Sequence, residues 1–474
     1  MNPPSATLTS PKKLRDVVVV GAGVAGLSTA LAAHDSMGDF AKITVLEADS
    51  AVGGLVRTTG HDGFVIEGGA NGFLDNAPAT LRLVQRLGLT DRLVQADATA
   101  AKRYLWVRGA LHPLPGGPGA MLRSPLLSWS GRLRLLREPF VGVGPDETVD
   151  ETVGDFARRR LGPEATRTLV DPMVSGVFAG DLDQLSLRAA FPRLAAMERT
   201  HGSLIRAMVA RQKAGSARGE AEAGAAKAFG GRLTSFVAGM QELIEALATS
   251  LEGHIQCDTT VTGLSPRHDG GWVVETTRGQ HQADAVVLAV PASVATRLVS
   301  GVAPRIGTYE PATASVATVA VAYPTQAISA VLDGFGFLVP RGEGLRTLGC
   351  LWESSIFPGH RAPAGFHLLR VILGGAHDPE VLGLSDAELV SLVREELSQV
   401  LGITAAPERH WIARWPQGIA QFGLGHVARR DALRAALPRG LWLTGSAWDG
   451  VAVNSCIERS ESVARELVAS QESL

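Results

Sequence analysis

The sequence predicts an α/β protein of nested domains, in which a second domain interrupts the first. Near its start the chain reads as strand, glycine turn, helix and strand, and over 441–468 it reads as strand, small-residue turn and helix. Between these ends, several apolar runs predict a second, largely antiparallel sheet. The 474 residues allow two or three domains. A nested order of the two domains follows from this pattern.

The N-terminal unit gives the strongest signal. Val17–Val20 is a run of β-branched residues typical of a buried parallel strand, and Leu27–Ala33 suits a helix. Between them lies a G-x-G-x-x-G motif made of Gly21, Ala22, Gly23, Val24, Ala25 and Gly26. A strand at Ile43–Leu46 ends on Glu47, at the spacing of a dinucleotide site. The alternative is a bare glycine turn in some other α/β sheet.

Each residue of this unit has a physical role at such a site. Gly21 allows the tight turn, Gly23 lets backbone approach a pyrophosphate, and Gly26 permits close packing of helix and strand. The helix N-terminus attracts phosphates. Glu47 can accept hydrogen bonds from ribose hydroxyls.

Further small-residue turns predict more backbone near a cofactor. Gly53-Gly54 follows the acid, and after a short strand at 63–67 come Gly68-Gly69-Ala70-Asn71-Gly72. So many glycines are costly unless the backbone needs the space. A flavin ring against this turn is the functional interpretation, and a plain loop is the alternative. Near the C-terminus, the turn Ser446–Asn454 and the helix Ser455–Val468 offer a second docking point, whose positive helix end would stabilise a reduced flavin.

Residues 115–185 have a different character. Apolar residues alternate with basic ones, namely Met121, Leu122, Leu126, Leu127, Trp129, Leu133, Leu135 and Leu136 with Arg123, Arg132, Arg134, Arg137, Arg158, Arg159 and Arg160. This composition fits a helix at a membrane interface. A core-facing helix with a basic outer face is the alternative.

Several weaker features complete the chain. Arg103 lies near the start of a predicted hairpin over 100–114, and a lone arginine is usually a surface charge. Gly176–Asp181 reads as a loop, and Ala214–Gly231 as a mobile linker. The later strands and helix are predicted at Trp272–Thr276 paired with Gln282–Leu288, then Ser315–Tyr323, Phe335–Val339, Thr347–Trp352, His367–Leu373 and Leu389–Leu401.

Composition excludes several classes. A formal charge of −2 gives no reason to expect nucleic acid as a partner. The three cysteines are too few and scattered for a disulfide framework or a zinc site, so no metal is expected. Residues 1–13 look like a disordered tail rather than a secretion signal. With no apolar run long enough to span a bilayer, we expect a cytoplasmic protein, with peripheral contact at the inner face of the cell membrane left open.

The chain as a whole resembles the flavin amine oxidase superfamily and, within it, the oxygen-dependent protoporphyrinogen oxidase family. The runs that carry this resemblance are Ala101–Val107 with Gly109–Leu111, Gly176–Asp181 with Leu185-Ser186, Gly334–Pro340, and Gly450–Asn454 with Cys456-Ile457. The resemblance covers nearly the whole chain from about residue 15 and omits the 214–231 insertion.

The resemblance implies three domains. A Rossmann-like FAD-binding domain would be discontinuous, over 14–86, 230–300 and 436–474. A substrate-binding domain with a mixed, mostly antiparallel sheet would take 87–105, 185–229 and 301–435. Residues 106–184 would form a helical, membrane-surface subdomain.

It also implies the site residues. The motif at 21–26 would hold the FAD pyrophosphate, Glu47 the ribose, and the Val261 backbone the adenine. The residues implied around the ribityl chain and isoalloxazine are Leu55, Gly69, Ala70, Asn71, Gly72, Ser446, Val451, Ala452 and Val453. Arg103 would bind a substrate propionate, since a guanidinium suits a carboxylate in an apolar pocket. The apolar walls would be Phe335, Gly336, Leu338 and Ile372, with Gly176 at the rim.

The implied reaction is oxidation of protoporphyrinogen IX to protoporphyrin IX by FAD, with O₂ as acceptor and H₂O₂ as product. The flavin performs the hydride abstraction, so no catalytic side chain is nominated. Histidines such as His112, His201 and His426 are expected to be structural or exposed. A homodimer and a downstream chelatase are left open as partners.

Other readings of the same pattern are a coproporphyrinogen III oxidase, a flavin amine oxidase and a flavoprotein without catalysis. An amine oxidase would want an aromatic cage at the flavin, whereas the chain has only three tyrosines. The chain also departs from the family pattern at Ala51, Ala70, Ala420, Phe422 and Ser455.

Overall fold

The structure is a computed structural model that describes residues 15–121, 123–146, 149–217, 231–268, 270–303 and 309–472. The predicted N-terminal tail, residues 218–230 of the predicted linker, and Leu122 lie outside these ranges. Both helices and strands are abundant, which agrees with the predicted α/β class.

The strands have the following bounds. They are β1 (Asp16–Val20), β2 (Lys42–Leu46), β3 (Thr58–His61), β4 (Phe64–Glu67), β5 (Phe73–Leu74), β6 (Leu93–Gln95), β7 (Tyr104–Val107), β8 (Ala110–Pro113), β9 (Leu233–Phe236), β10 (Ile255–Gln256), β11 (Val261–Pro266), β12 (Trp272–Thr276), β13 (Gly279–Ala283), β14 (Ala285–Leu288), β15 (Thr313–Pro324), β16 (Gly336–Leu338), β17 (Thr347–Leu351), β18 (Phe366–Gly374), β19 (Arg409–Ala420) and β20 (Leu441–Leu443).

The helices surround these strands. They are α1 (Val24–Met37), α2 (Pro78–Arg86), α3 (Pro118–Met121), α4 (Trp129–Leu136), α5 (Val153–Leu161), α6 (Pro163–Ala165), α7 (Asp171–Phe178), α8 (Leu187–Ala190), α9 (Pro192–His201), α10 (Leu204–Ala217), α11 (Gln241–Ser250), α12 (Ala292–Val302), α13 (Glu353–Ile356), α14 (Asp386–Leu401), α15 (His426–Ala436), α16 (Ser446–Asp449) and α17 (Val453–Glu472). Short 3₁₀ turns lie at Gly38–Phe40, Thr90–Arg92, Ala98–Ala101, Glu138–Phe140, Thr325–Ala327 and Pro379–Gly383, and a π turn at Thr166–Val170.

A five-stranded parallel sheet lies at the centre of the cofactor-binding half. Its order is β10-β2-β1-β14-β20, so its strands come from the beginning, the middle and the end of the chain. The predicted discontinuous, Rossmann-like arrangement is therefore confirmed, whereas the exact domain boundaries stay a prediction. Val17 and Val19 pack with α1, α11 and α17, while Val18 and Val20 pack with β11, β12 and α12. Burial on both faces explains why β1 is apolar from Val17 to Val20.

A seven-stranded, mostly antiparallel sheet forms the other half. Its order is β19-β15-β18-β17-β16-β7-β8, with one parallel pair between β16 and β7. One face packs against α14 through residues such as Val319, Val371 and Leu389. The sequence analysis missed β19, because its run is polar and contains Pro416. Since β19 lies at the sheet edge, a proline is tolerated there.

Some predicted elements have different bounds. Helix α1 begins at Val24 rather than Leu27, directly after Gly23. The predicted strand Gln282–Leu288 is wrong, because it is two strands that separate at Asp284 and join different sheets. The Asp284 carboxylate accepts hydrogen bonds from the Arg15 and Asp16 amides, which places β14 beside β1.

Two predicted loops are partly helical. Gly176 was expected in a loop but lies inside α7, which ends only at Ala179 in the left-handed conformation. The expected turn Ser446–Asn454 contains α16, and α17 begins at Val453 rather than Ser455. Small residues permit these turns of helix as readily as a loop, so composition alone could not decide between them.

The alternative of a basic outer face does not hold for Arg160, which lies inside the protein. Arg160 is fully buried and pairs with Glu138 and Glu198, while Arg159 pairs with Glu151 and Glu198. Arg158 pairs with the exposed Asp155 and Asp183. Arg159 and Arg160 thus connect separate segments of the chain, whereas Arg158 remains on the surface. Among the described residues, no helix combines the length and apolar character needed to cross a membrane.

Candidate cofactor and substrate site

Turns from opposite ends of the chain meet at the C-terminal edge of the parallel sheet. The Gly53 amide donates to the Ala22 carbonyl at 2.9 Å, and Gly53 forms an isolated parallel β-bridge with Gly23. A Cβ built on Gly445 would lie 3.8 Å from Cβ of Ala25. Deeper in the same contact, the Ser460 hydroxyl donates to the Ala25 carbonyl at 3.0 Å. The predicted N- and C-terminal turns are therefore adjacent.

The first glycine turn has no room for side chains. Gly21 has φ +99°, a conformation that favours glycine. A Cβ on Gly26 would lie closer than 3.0 Å to the Gly21 carbonyl oxygen, a separation that real Cβ atoms essentially never show. This contact is the close approach of strand and helix that the motif predicts.

The N-terminus of α1 is open to an anion. Its N-cap, Gly23, has no side chain, and its first turn contains no acidic residue. The first N–H groups of a helix have no partner within the helix, and its dipole is positive there. The end of α1 can therefore hold a phosphate group.

Glu47 lies where the sequence places it, directly after β2. Its two carboxylate oxygens accept hydrogen bonds from the amides of Ala22 at 2.6 Å and Asp49 at 2.9 Å. An ionised carboxylate has about four lone-pair positions, so acceptor capacity remains for hydroxyl groups. Nearby, the Thr259 amide donates to the Glu47 carbonyl, and Val261 starts β11 two residues later. Glu47 and Val261 thus lie at the same end of the site.

The second glycine turn, at 68–72, packs tightly against the segment that follows Gly53-Gly54. A Cβ on Gly69 would lie closer than 3.0 Å to the Leu55 carbonyl oxygen. Ala70 packs on the core cluster that contains Ala22 and Val453. In Asn71 both amide atoms, Oδ1 and Nδ2, are buried and have no hydrogen-bond partner in the described structure. Because buried polar groups are normally paired, these atoms indicate a place for a polar ligand.

The C-terminal turn closes the same space. Asn454 donates through Nδ2 to the Leu74 carbonyl at 2.9 Å, and its Oδ1 accepts from Thr80 at 2.7 Å. These bonds fix the start of α17 to α2 and to β5, which follows the second glycine turn. Ser446 begins α16, while Val451, Ala452 and Val453 lie at the entry to α17. The first turn of α17 has no acidic residue. It contains Ser455, one of the positions at which the chain departs from the family pattern.

The predicted apolar wall forms one row across the second sheet. Leu338 pairs with Gly349, and Gly349 pairs with Ile372, so these residues share a face of β16, β17 and β18. A Cβ on Gly176 of α7 would lie 2.8 Å from Cδ2 of Leu338. Gly176 therefore covers this row from the helical side, and its place at the rim of a substrate pocket stays a prediction.

Arg103 is a half-buried cation at the end of this wall. Its guanidinium carbon lies 5.1 Å from the Phe335 ring centroid, and its Nε is buried without a hydrogen-bond partner in the described structure. Burial lowers the pKa of the Arg103 guanidinium. An arginine that is desolvated without a carboxylate partner suits an anionic ligand better than a surface role.

A family model described as "Flavin containing amine oxidoreductase" matches residues 24–468. The chain belongs to this family. Coproporphyrinogen III oxidase of Bacillus subtilis (strain 168) is 31% identical over 94% of this chain and 97% of its own length. Human protoporphyrinogen oxidase is 33% identical, over 96% of this chain and 99% of its own length. A crystal structure from Exiguobacterium sp. 255-15 superimposes with a TM-score of 0.81 at 27% identity, covering 96% of this chain and 98% of that chain. Membership in a flavin-containing oxidoreductase family confirms the predicted enzyme class and flavin cofactor.

The residues present fit a flavin nucleotide. The uncapped end of α1 suits its pyrophosphate, and the partnerless amide of Asn71 suits a group with hydrogen-bond donors and acceptors. Thr444 adds another buried hydroxyl without a partner in the described structure, one residue before Gly445. These features lie in the glycine turns at 21–26 and 68–72 and just before the C-terminal turn.

Sequence reasoning missed several residues near this site. Gly349 lies between Leu338 and Ile372, and Arg370 donates to carbonyls of the second glycine turn. A signal was available for Arg370, since an arginine interrupts the apolar run His367–Leu373. A charge in the middle of a buried strand normally has a partner. For Gly349 no signal was available, since a strand glycine has many explanations.

Glu67 is a buried acid beneath the second glycine turn. Its carboxylate accepts from the Met240 amide at 2.8 Å and the Thr58 hydroxyl at 2.7 Å, and Arg361 is 3.8 Å away. Burial raises the pKa of Glu67 from 4.5 to about 7, against the opposing effects of Arg361 and these hydrogen bonds. The folded protein therefore keeps a proton that the unfolded chain has already lost.

This difference predicts a pH-dependent stability. Between pH 4.5 and about 7 the folded state binds more protons at Glu67 than the unfolded state, so stability falls as pH rises. The loss is on the order of 3 kcal/mol. We expect Glu67→Gln to reduce the fall in melting temperature between pH 5 and pH 8, and the exposed Glu275→Gln to leave it unchanged. Equal pH slopes for wild type and Glu67→Gln would contradict this assignment.

Proposed function

We propose that this protein oxidises protoporphyrinogen IX to protoporphyrin IX with FAD as cofactor and O₂ as acceptor. When bound, the flavin accepts hydride from the substrate and passes the electrons to O₂, and three such rounds release three H₂O₂. The observation that carries the proposal is Arg103 on the Phe335 ring, at the end of the apolar row through Leu338 and Ile372. This arrangement suits a large apolar ring system that bears carboxylates.

The side chains bind and orient the substrate. Arg103 would anchor a propionate, since its guanidinium is desolvated and its Nε has no partner in the described structure. Leu338 and Ile372 would hold the ring, and Gly176 would leave space at the rim. The apolar row also excludes water from the substrate. Orientation of this kind is a large part of catalysis where the cofactor supplies the chemistry.

A coproporphyrinogen III oxidase is the second candidate, and one observation favours it. The Bacillus subtilis relative that covers almost the whole chain has that name. Coproporphyrinogen carries four propionates and would want a more basic pocket. Arg341, the next arginine in the chain after β16, is already paired with Asp171 at 2.8 Å. This pairing favours the substrate with fewer carboxylates.

An amine oxidase is disfavoured by the positions of the tyrosines. The Tyr104 hydroxyl donates to Asp333 at 2.6 Å, the Tyr309 hydroxyl lies 2.5 Å from His426, and Tyr323 is in the core. Phe422, one of the departures from the family pattern, packs against His426 with ring centroids 4.3 Å apart. These side chains are engaged within the protein rather than arranged as a cage for an amine.

One comparison of substrates tests the proposal. The purified flavoprotein is incubated separately with protoporphyrinogen IX, coproporphyrinogen III and a panel of amines, while porphyrin fluorescence and peroxide are followed together. We expect the highest kcat/KM with protoporphyrinogen IX and peroxide in step with porphyrin. Preference for coproporphyrinogen III would favour the second candidate. Peroxide from amines alone, or no turnover, would contradict both porphyrinogen activities.

We also propose peripheral contact with a membrane through α4. Trp129, Leu133 and Leu136 of α4 and Phe140 just after it follow a spacing of i, i+4, i+7 and i+11 and are all exposed. Spacing of this kind places side chains on one helix face. Leu126 and Leu127 are buried instead, so the alternative of a core-facing segment holds for them. A homodimer and a chelatase that takes the product stay predictions.

The membrane proposal predicts a side-chain-specific effect. Phe140 and Phe40 are both 84% exposed, but only Phe140 adjoins the apolar face of α4. We expect Phe140→Ser combined with Leu133→Ser to abolish co-sedimentation with anionic vesicles, and Phe40→Ser to have no effect. Because the proposed contact is made by apolar side chains, and salt screens only the attraction between charges, binding should persist in high salt. Failure of the wild type to co-sediment would contradict the proposal.

A further inference from the structure

Side chains from the substrate sheet hold three consecutive carbonyl groups of the second glycine turn. Arg370 donates through Nη1 to the carbonyls of Glu67 at 3.0 Å and Gly69 at 2.7 Å. The Gly68 carbonyl accepts from Trp415 Nε1 at 2.8 Å and from the Thr318 hydroxyl at 3.1 Å. These bonds join elements that are about 250 to 350 residues apart in sequence.

The donors come from neighbouring strands, so their relative positions are fixed by the sheet. Arg370 is on β18, Thr318 on β15 and Trp415 on β19, in the order β19-β15-β18. Thr318 pairs with Ile372, which places it in the same row as the predicted substrate wall. The face that carries Leu338 and Ile372 is therefore the face that contacts the second glycine turn.

Arg370 is itself held rigidly. It is almost fully buried, and its Nε donates to Glu353 Oε1 at 2.7 Å. A buried pair of this kind has little freedom to move, because separation of the charges would leave both unpaired. Trp415 also limits movement of the turn, because its indole packs on Gly68, where an added Cβ would lie 3.5 Å from the ring.

The other side of the turn faces the cofactor residues. Gly69 lies against the Leu55 carbonyl, and Gly54, just before Leu55, touches Gly23 of the first turn. Asn71, with its two partnerless amide atoms, follows directly. The second glycine turn thus lies between the cofactor residues and the sheet face that carries the substrate wall.

We infer that Arg370, Trp415 and Thr318 are positioning residues that set the distance between flavin and substrate. This inference rests on the proposed function for its kinetic consequence, but not for its effect on the flavin itself. Hydride transfer needs the reacting atoms to be about 3–3.5 Å apart, so a small displacement of the turn should slow it without weakening substrate binding. None of the three needs to touch the reacting atoms.

The test uses substitutions that remove the hydrogen bonds to the Gly68 carbonyl and, for Trp415→Phe, the packing of the indole on Gly68. Trp415→Phe keeps an aromatic ring, and Thr318→Val keeps the shape of the side chain. Arg370 variants are less suitable, since they leave Glu353 unpaired in the core. Trp411→Phe, on the same strand with its ring against Phe64, is the matched control.

We expect the Trp415→Phe, Thr318→Val double variant to melt close to the control and to bind flavin. Its visible flavin spectrum and reduction potential should shift from those of the control, and kcat should fall on the order of tenfold at unchanged KM. Spectrum, potential and kcat equal to those of the control would overturn the inference. A rise in KM alone would also overturn it, because it would assign these residues to substrate binding.

The two readouts separate this inference from the proposed function. If the wild type does not oxidise any porphyrinogen, the proposed function fails, while the flavin spectrum and potential of the variants still test the positioning role. If the wild type is active and the double variant retains a wild-type spectrum, potential and kcat, only the positioning role fails.

Discussion

Gly26→Ala is expected to leave the protein with almost no bound flavin. The added Cβ would lie closer than 3.0 Å to the Gly21 carbonyl oxygen, and neither backbone segment has a flexible side chain to move aside. Overpacking of this kind costs about 3 kcal/mol or more where backbone must shift. If that cost falls on the turn that binds the pyrophosphate, flavin affinity falls roughly 100-fold or more.

The measurement is the ratio of flavin to protein after purification, together with the melting temperature. Gly60→Ala is the matched control, because its Cβ would meet nothing within 4 Å on the exposed strand β3. Gly60→Ala should retain the flavin content and melting temperature of the wild type. Full flavin content in Gly26→Ala would show that the first glycine turn does not hold the cofactor.

Arg103→Ala is expected to raise KM about 10- to 100-fold with a smaller change in kcat. The side chain would lose a charge-assisted contact with a propionate, and such contacts contribute about 1.5–3 kcal/mol. A group that binds the substrate and its transition state equally affects mainly KM. The KM of Arg103→Lys should fall between those of the wild type and Arg103→Ala, since lysine keeps the charge but lacks the planar guanidinium.

Steady-state kinetics with the porphyrinogen substrate check this expectation. Arg82→Ala serves as the control, because Arg82 pairs with Glu461 on the surface away from the site. An unchanged KM in Arg103→Ala would remove Arg103 from the substrate site, and a large loss of kcat alone would indicate a role in the chemistry instead.

The cofactor half of the molecule could be predicted from sequence because its signals are local. The motif at 21–26 and the acid at Glu47 have a fixed spacing along the chain, and the structure shows the geometry that this spacing requires. Glycine at Gly26 has one dominant physical reason, namely close packing of helix on strand. Here a short sequence determines a short piece of structure.

The substrate half was harder because its contacts are long-range. The roles of Gly349 and Arg370 depend on strand pairing across β16, β17 and β18, which the sequence does not show. Trp415 lies on β19, a strand that the sequence analysis missed because its run of residues is polar. The arginines at 158–160 were misread for the same reason, since Glu138 and Glu198, which bury Arg160, lie more than twenty residues away. Arg103 was placed by resemblance, whereas its lack of a carboxylate partner in the described structure could be seen only in three dimensions.

The most direct test mixes the oxidised flavoprotein with one equivalent of protoporphyrinogen IX in the absence of oxygen. If flavin and substrate occupy adjacent positions as described, the visible absorption band of oxidised flavin bleaches in a single turnover, and the band returns with release of peroxide when air is admitted. If the band stays unchanged with the porphyrinogen while an amine bleaches it, the assignment of substrate to this site is wrong.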